Sequence, residues 1–268
     1  MHKEYLFPIL FIFMKVAYCF SGHLRTFDKT YEKISKNILK ILPGDIFIHT
    51  WDTLGNNSTK AWWSGDEKYG QKIDEKTIDE LNRLYHPVKT SIEEQSKLLK
   101  HEKLLKHDFT EFNASRQGEF QNLFSMWYSI HSSNQLRLEY EKQNHIKYDV
   151  VFRMRFDILP LSIIDLNQIE DFSSLYVVRN DNSYLVNAIS DLFAYSSPEI
   201  MNKYCELYNR LEEFFLIPNI GTDTGFTKYI KHCKINAKPS NLKISLLRIN
   251  GEILEVPSNF SNLCEPFN

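Results

Sequence analysis

Short apolar runs that alternate with amphipathic segments set the tightest limit on what this chain can fold into. "KVAYCF", starting at Lys15, is strand-like. "DKTYEKISKNILKIL" follows, with Tyr31, Ile34, Ile38 and Ile41 at helical spacing and Asp28 positioned as an N-cap. "PGDIFIHTWD" then turns at Pro43-Gly44 and resumes an apolar run from Ile46 to Ile48. A strand, a helix and a second strand make a βαβ unit, and a helical crossover implies parallel strands.

The alternation continues. Thr53–Gly70 is polar and tryptophan-bearing and reads as a loop; a short helix is expected around Thr77–Leu84, then a weak strand in "HPVKTSIEE". The lysine-rich stretch after it reads as a solvated helical face. A longer helix from about Glu119 to Gln143 carries Phe120, Leu123, Phe124, Trp127, Ile130 and Leu138 on its apolar side. "SLYVVRN" and "ISDLFAYSS" read as two further strands, and Ser197-Pro198-Glu199 as the start of a helix. The fold class expected is α/β, one domain with a mainly parallel central sheet flanked by helices.

Composition excludes several functions. With 43% hydrophobic and 14% aromatic residues the chain can bury a large core. A net charge of −2 without a long basic run argues against nucleic acid as a partner. Cys19, Cys205, Cys233 and Cys264 form no CxxC pair, which favours ordinary thiols over a zinc site or a disulfide framework. There is no GxSxG, HExxH, Walker P-loop or GxGxxG, and His23, His49 and His131 lack ligand spacing. "YLFPILFIFMKVAYCF" is too short and too interrupted for a membrane span, so residues 1–13 read as a leader or a misassigned start before Met14, with a membrane-proximal anchor as the alternative.

The densest chemistry lies in "YDVVFRMRFDILP", Tyr148 to Pro160, where an apolar strand runs into Arg153, Arg155 and Asp157. The two arginines share one side of an extended chain and Asp157 sits where the strand must break. In an open α/β sheet ligands gather at the carboxyl ends of the strands. Two readings stay open: an aspartate holding a cation or a ribose hydroxyl beside arginines on a diphosphate, or a buried Arg–Asp pair that closes the strand.

The order "AYCFSGHLRTF", "GDIFIHTWD", "FSMWYSI", "YDVVFRMRFDILP", "SDLFAYSSPEIM" resembles GT-A-like glycosyltransferases of surface-polysaccharide synthesis, over Met14 to about Ile230. The resemblance implies a nucleotide-binding half over about 14–160 and an acceptor-side half over 161–268. It implies transfer of a sugar from a nucleotide-diphosphate sugar to a glycan or lipid-linked acceptor, in the cytoplasm and with possible peripheral membrane association. Asp157 matches the last carboxylate of the family's Asp-x-Asp metal motif, while Arg155 stands where the first would be. An Mn²⁺ or Mg²⁺ ion at Asp157 is therefore one expectation, and arginine in place of some of its charge another. Ser21, Gly22 and Arg25 fall in the loop that approaches the nucleotide, and His49, Trp51 and Asp52 where the base or ribose lies; Trp51 packing under a loop and Asp52 capping a turn are the alternatives. Asp191, ahead of Asp223, is the expected catalytic base, each set against a turn or helix-cap role.

Overall fold

β1 (Val16–Ser21) is buried at every residue, as befits a strand covered on both faces. The computed structural model describes residues 14–55, 70–98, 114–165, 172–179, 189–215 and 222–255, and only the backbone at 114–120, 179, 215, 222–224 and 255. α1 (Phe27–Ile34) continues through a π-helical turn, Ser35–Leu39. Its N-cap position is held by Thr26, without a side-chain cap bond; Asp28 lies inside the first turn, where its charge faces the helix's positive end. β2 (Asp45–Trp51) then pairs parallel to β1, with Cys19 opposite Phe47, so the opening βαβ unit forms as the pattern requires.

α2 (Glu75–Tyr85) begins at Asp74, whose side chain accepts from the Thr77 N–H at 2.8 Å, and stops at His86 in the left-handed region. β3 (Lys89–Glu93) adds parallel to β2, and α3 (Gln95–Leu98) follows. The long α4 (Ala114–Asn144) returns the chain to β4 (Val150–Met154), which pairs parallel to the free side of β1. After β5 (Ile158–Pro160) come β6 (Leu175–Arg179), β7 (Ile189–Ser196), α5 (Pro198–Cys205), a 3₁₀ segment at Glu206–Arg210, α6 (Leu211–Phe215) and α7 (Thr222–His232). Three short strands close the described chain: β8 (Ala237–Pro239), β9 (Ile244–Leu247) and β10 (Ile253–Glu255). Pro198 occupies the first turn of α5 as expected, although Ser197 makes no side-chain cap bond.

The principal sheet has seven strands in the order β3-β2-β1-β4-β7-β6-β8, and a small one runs β10-β9-β5. β7 alone is antiparallel to its neighbours in the large sheet. One face packs Tyr18, Phe20, Ile48 and Phe152 against α1, α2 and the small sheet; the other packs Cys19, Phe47 and Val151 against α4, α5 and α7. Tyr18, Phe152, Tyr195 and Tyr176 stack in a row across β1, β4, β7 and β6, with centroids 4.9, 4.9 and 5.1 Å apart. Such pairs add about 0.5–1.5 kcal/mol each beyond burial, and they fix the register of four strands.

The stripe read on α4 holds for Leu123, Phe124, Trp127 and Ile130 but ends there: Leu138 is only half-buried, while Ser133, Asn134 and Arg137 are buried. Arg137 donates to Asn134 at 3.0 Å and to Glu141 at 2.7 Å, and it also reaches Asn202 of α5. A polar lock therefore joins the second half of α4 to α5 where apolar contact was expected. Among the described residues no helix is long and apolar enough to cross a membrane. Cys19 and Cys205 are buried free thiols and Cys233 is half-buried. Residues 1–13, Cys264 and most of the expected Thr53–Gly70 loop lie outside the described residues.

Candidate functional site at the β1/β4 switch point

The chain lays β2 and β3 on one side of β1 and then jumps back to put β4 on the other. The loops leaving β1 and β4 lie side by side at the carboxyl ends of these strands, the end at which open α/β sheets take ligands. The loop after β1 holds Gly22 at φ 101 and Arg25 at φ 48, two left-handed residues that turn the backbone sharply back. The Arg25 N–H is fixed by the Leu54 carbonyl at 2.9 Å. The loop after β4 carries Arg155 and Asp157.

These loops are tied by one carboxylate. Asp157, 1% exposed, accepts from Arg155 Nε on Oδ1 at 2.8 Å, from Arg155 Nη2 on Oδ2 at 2.6 Å, and from Arg25 Nη1 on Oδ2 at 2.5 Å. Burial alone would push the Asp157 carboxyl up, but the Arg155 and Arg25 guanidiniums more than offset it and hold the group well below the usual carboxylate range. Two guanidiniums thus share one buried carboxylate. Both arginine side chains keep about a fifth of their surface in solvent.

That arrangement does not suit a metal. Both oxygens of Asp157 already accept guanidinium N–H groups, and a divalent cation would sit against two positive charges. Among the described residues no cluster of three or more His, Cys, Asp or Glu could hold an ion. Arg153 lies apart from this bridge. Instead of joining Arg155 it turns to the α4/α5 face of the sheet, fully buried, with Nη2 3.9 Å from Asp191 Oδ2. Asp191 is the third residue of β7.

Ser21 is buried, and the Gly22 N–H donates to Ser129 Oγ of α4 at 2.7 Å. Ser129 Oγ is also 2.8 Å from His49 Nδ1. On the far side of that ring, Nε2 lies 3.2 Å from Glu93 Oε1, but its N–H is off line, so the contact is electrostatic and not an aligned hydrogen bond. Tyr128 donates to Glu93 Oε2 at 2.8 Å. The His49 contact first, then the Tyr128 hydroxyl, outweigh the burial of Glu93 and bring its carboxyl down to about 2. Glu93 and Tyr128 line a cavity of about 510 Å³ with Ile92, Glu94, Lys97 and Leu98. His49 is wholly buried between Ser129 and Glu93; direct contact with a base or ribose would require it to be uncovered.

Trp51 is buried with its ring 5.7 Å from that of Tyr128, and Asp52 pairs with Lys72 at the turn after β2. Asp223 lies in α7 with its side chain outside the described residues. His23, set aside from the sequence, is buried beside Arg25 with Nδ1–H donating to the Thr53 carbonyl at 3.0 Å. Burial first, then the Arg25 charge, lower it to about 3 and keep the ring neutral. Ser129, Tyr128 and Glu93 were also missed, although "FSMWYSI" already contained two serines four apart on one helical face. No protein-family model matches this chain, and no curated protein is significantly similar to it.

Proposed function

We propose that the chain is a glycosyltransferase with a GT-A-like domain, binding a nucleotide-diphosphate sugar at the carboxyl ends of β1 and β4 for transfer to a glycan or lipid-linked acceptor. The observation that carries this reading is the Arg25–Asp157–Arg155 bridge between the loops after β1 and β4: two guanidiniums about a fifth exposed, and a loop whose glycine lets the backbone come close. A diphosphate fits that charge and that position in the sheet. Displacement at an anomeric carbon mainly needs stabilisation of the departing diphosphate, which the two arginines would supply at the bridging and terminal oxygens. Asp157 acts here as the post that positions both guanidiniums. Asp191 and Asp223 remain the carboxylates offered as base for the acceptor hydroxyl.

A second reading, a sugar-nucleotide or glycan-binding domain without turnover, is favoured by the saturation of Asp157, both of whose oxygens are taken by guanidiniums. Incubation of the full chain with UDP-, GDP- and CMP-sugars, with and without Mn²⁺, and assay of released nucleotide separate the two. Release with one donor, abolished in Arg25→Ala, supports transfer; binding without release supports the second reading; neither overturns both.

A further inference from the structure

We propose that the exposed side of α1 and its π-helical extension, with the Leu161–Ile163 segment beside it, is a docking face for a bilayer surface that carries anionic lipid. Vesicle binding does not rest on the glycosyltransferase reading. Lys29, Lys33, Lys36 and Lys40 fall three or four residues apart, which sets them in one stripe along the helix, and every one of them is exposed. At about 1.5 Å per residue the stripe is about 16 Å long. Among the described residues none of these lysines forms an ion pair; those that do, Lys72, Lys89 and Lys97, lie elsewhere on the chain.

Lysines alone need nothing but water. What sets this stripe apart is the apolar surface along one edge of it. Thr30 and Asn37, on that edge, donate to the Phe156 and Pro160 carbonyls, and the Ile164 N–H donates to the Asn37 carbonyl at 3.0 Å. The chain from Leu161 to Ile163 is thereby held against the helix. Leu161 is 59% exposed and Ile163 55%, and Ile41, one turn beyond Asn37, is 46% exposed; they are three of the four large apolar side chains that stand out from the described surface. A further exposed lysine, Lys243, borders the same segment: the Leu161 N–H donates to its carbonyl at 2.8 Å, and its own N–H donates to Ser162 Oγ at 3.0 Å. Asp28 and Glu32 lie on the opposite edge of the stripe, away from these apolar side chains.

The combination selects the partner. A soluble polyanion would match the lysines but leave Ile41, Leu161 and Ile163 in water. A bilayer meets both needs, because its phosphates lie at the level of the ammonium groups while the apolar side chains and the lysine stems reach the acyl boundary. α1 starts two residues after Arg25, so on the glycosyltransferase reading the docked face would hold the loops after β1 and β4 beside the membrane that carries a lipid-linked acceptor.

Co-sedimentation of the full chain with vesicles of phosphatidylcholine alone, and of phosphatidylcholine and phosphatidylglycerol in equal parts, tests this without any nucleotide. The wild type should bind the anionic vesicles, and bind them less as salt rises from about 0.1 M to about 1 M, which shortens the screening length from about 10 Å to about 3 Å. Each lysine near an anionic surface is worth about fivefold in partition, so Lys36→Gln with Lys40→Gln should weaken binding about 25-fold. Leu161→Ser with Ile163→Ser should weaken it about tenfold or more. Melting temperatures should not move in either variant, since all of these side chains are exposed in the free protein. No binding to anionic vesicles, equal binding to phosphatidylcholine alone, or binding that both double variants leave intact would overturn the docking face. Loss in the lysine variant alone would make the stripe a site for a soluble polyanion and overturn the membrane. Nucleotide-sugar binding is untouched by any of these outcomes, so the two readings fail separately.

Discussion

Replacing Asp157 by asparagine should destabilise the protein before it affects any chemistry. The carboxylate is 1% exposed and accepts three guanidinium hydrogen bonds from two arginines. Asparagine keeps one acceptor oxygen but turns an N–H₂ toward a guanidinium, so donors face donors and at least one charge loses its partner. Breaking a buried pair from one side costs about 3–5 kcal/mol. Both arginines keep some contact with water, which relieves part of the loss and points to the lower end, about 3 kcal/mol. At about 2–4 °C per kcal/mol for a chain of this size, the melting temperature at pH 7 should fall by about 6–12 °C. The pH dependence carries the sign. A carboxyl lowered in the folded state stabilises above its unfolded value of about 3.9 and loses that contribution as the pH falls toward its folded value. The gap between wild type and Asp157→Asn, followed by circular dichroism melts, should therefore narrow below about pH 4. A shift under 2 °C at pH 7, or a gap that stays constant in acid, would refute the reasoning.

Two further outcomes follow from packing and protonation. A Cβ on Gly44 would meet the Val16 carbonyl oxygen at 2.5 Å and Val16 Cβ at 2.8 Å, so Gly44→Ala should cost about 1–3 kcal/mol in denaturant unfolding, and a loss under 0.5 kcal/mol would show that the turn gives way. His23, lowered to about 3, stays neutral when folded but takes a proton when unfolded below about pH 6.5, so stability should fall by up to about 3 kcal/mol between pH 6.5 and 4; His23→Gln should flatten that slope, and an unchanged slope would place it elsewhere.

The sheet was legible because its strands are short, apolar and separated by helices of period 3.6; β1, β2 and β4 came from runs that hardly need tertiary context. Asp157 was legible for a similar reason, as a charge where burial should end. What could not be read was which partner each charge takes. Arg153 and Arg155 are two residues apart, yet one goes to Asp191 across the sheet and the other to Asp157 in its own loop, a choice made by β7 and by the Arg25 loop more than a hundred residues away. Arg137 breaks the apolar pattern of α4 for the same cause: its partners on α5 are invisible to local periodicity. The His49–Ser129 contact likewise joins β2 to α4, and neither segment alone announces it.

The central claim is that the loops at the carboxyl ends of β1 and β4 bind a nucleotide-diphosphate sugar through Arg25 and Arg155, and calorimetric titration of UDP- and GDP-sugars into wild type and Arg25→Ala tests it most directly. Because Asp157 is saturated by the arginines, wild-type binding should persist in EDTA. Arg25→Ala should weaken it about tenfold or more, as expected for loss of a charge-assisted contact of about 1.5–3 kcal/mol, while Arg155 keeps Asp157 paired and limits the loss of thermal stability. Absence of binding by the wild type, or equal affinity in Arg25→Ala, would contradict the account.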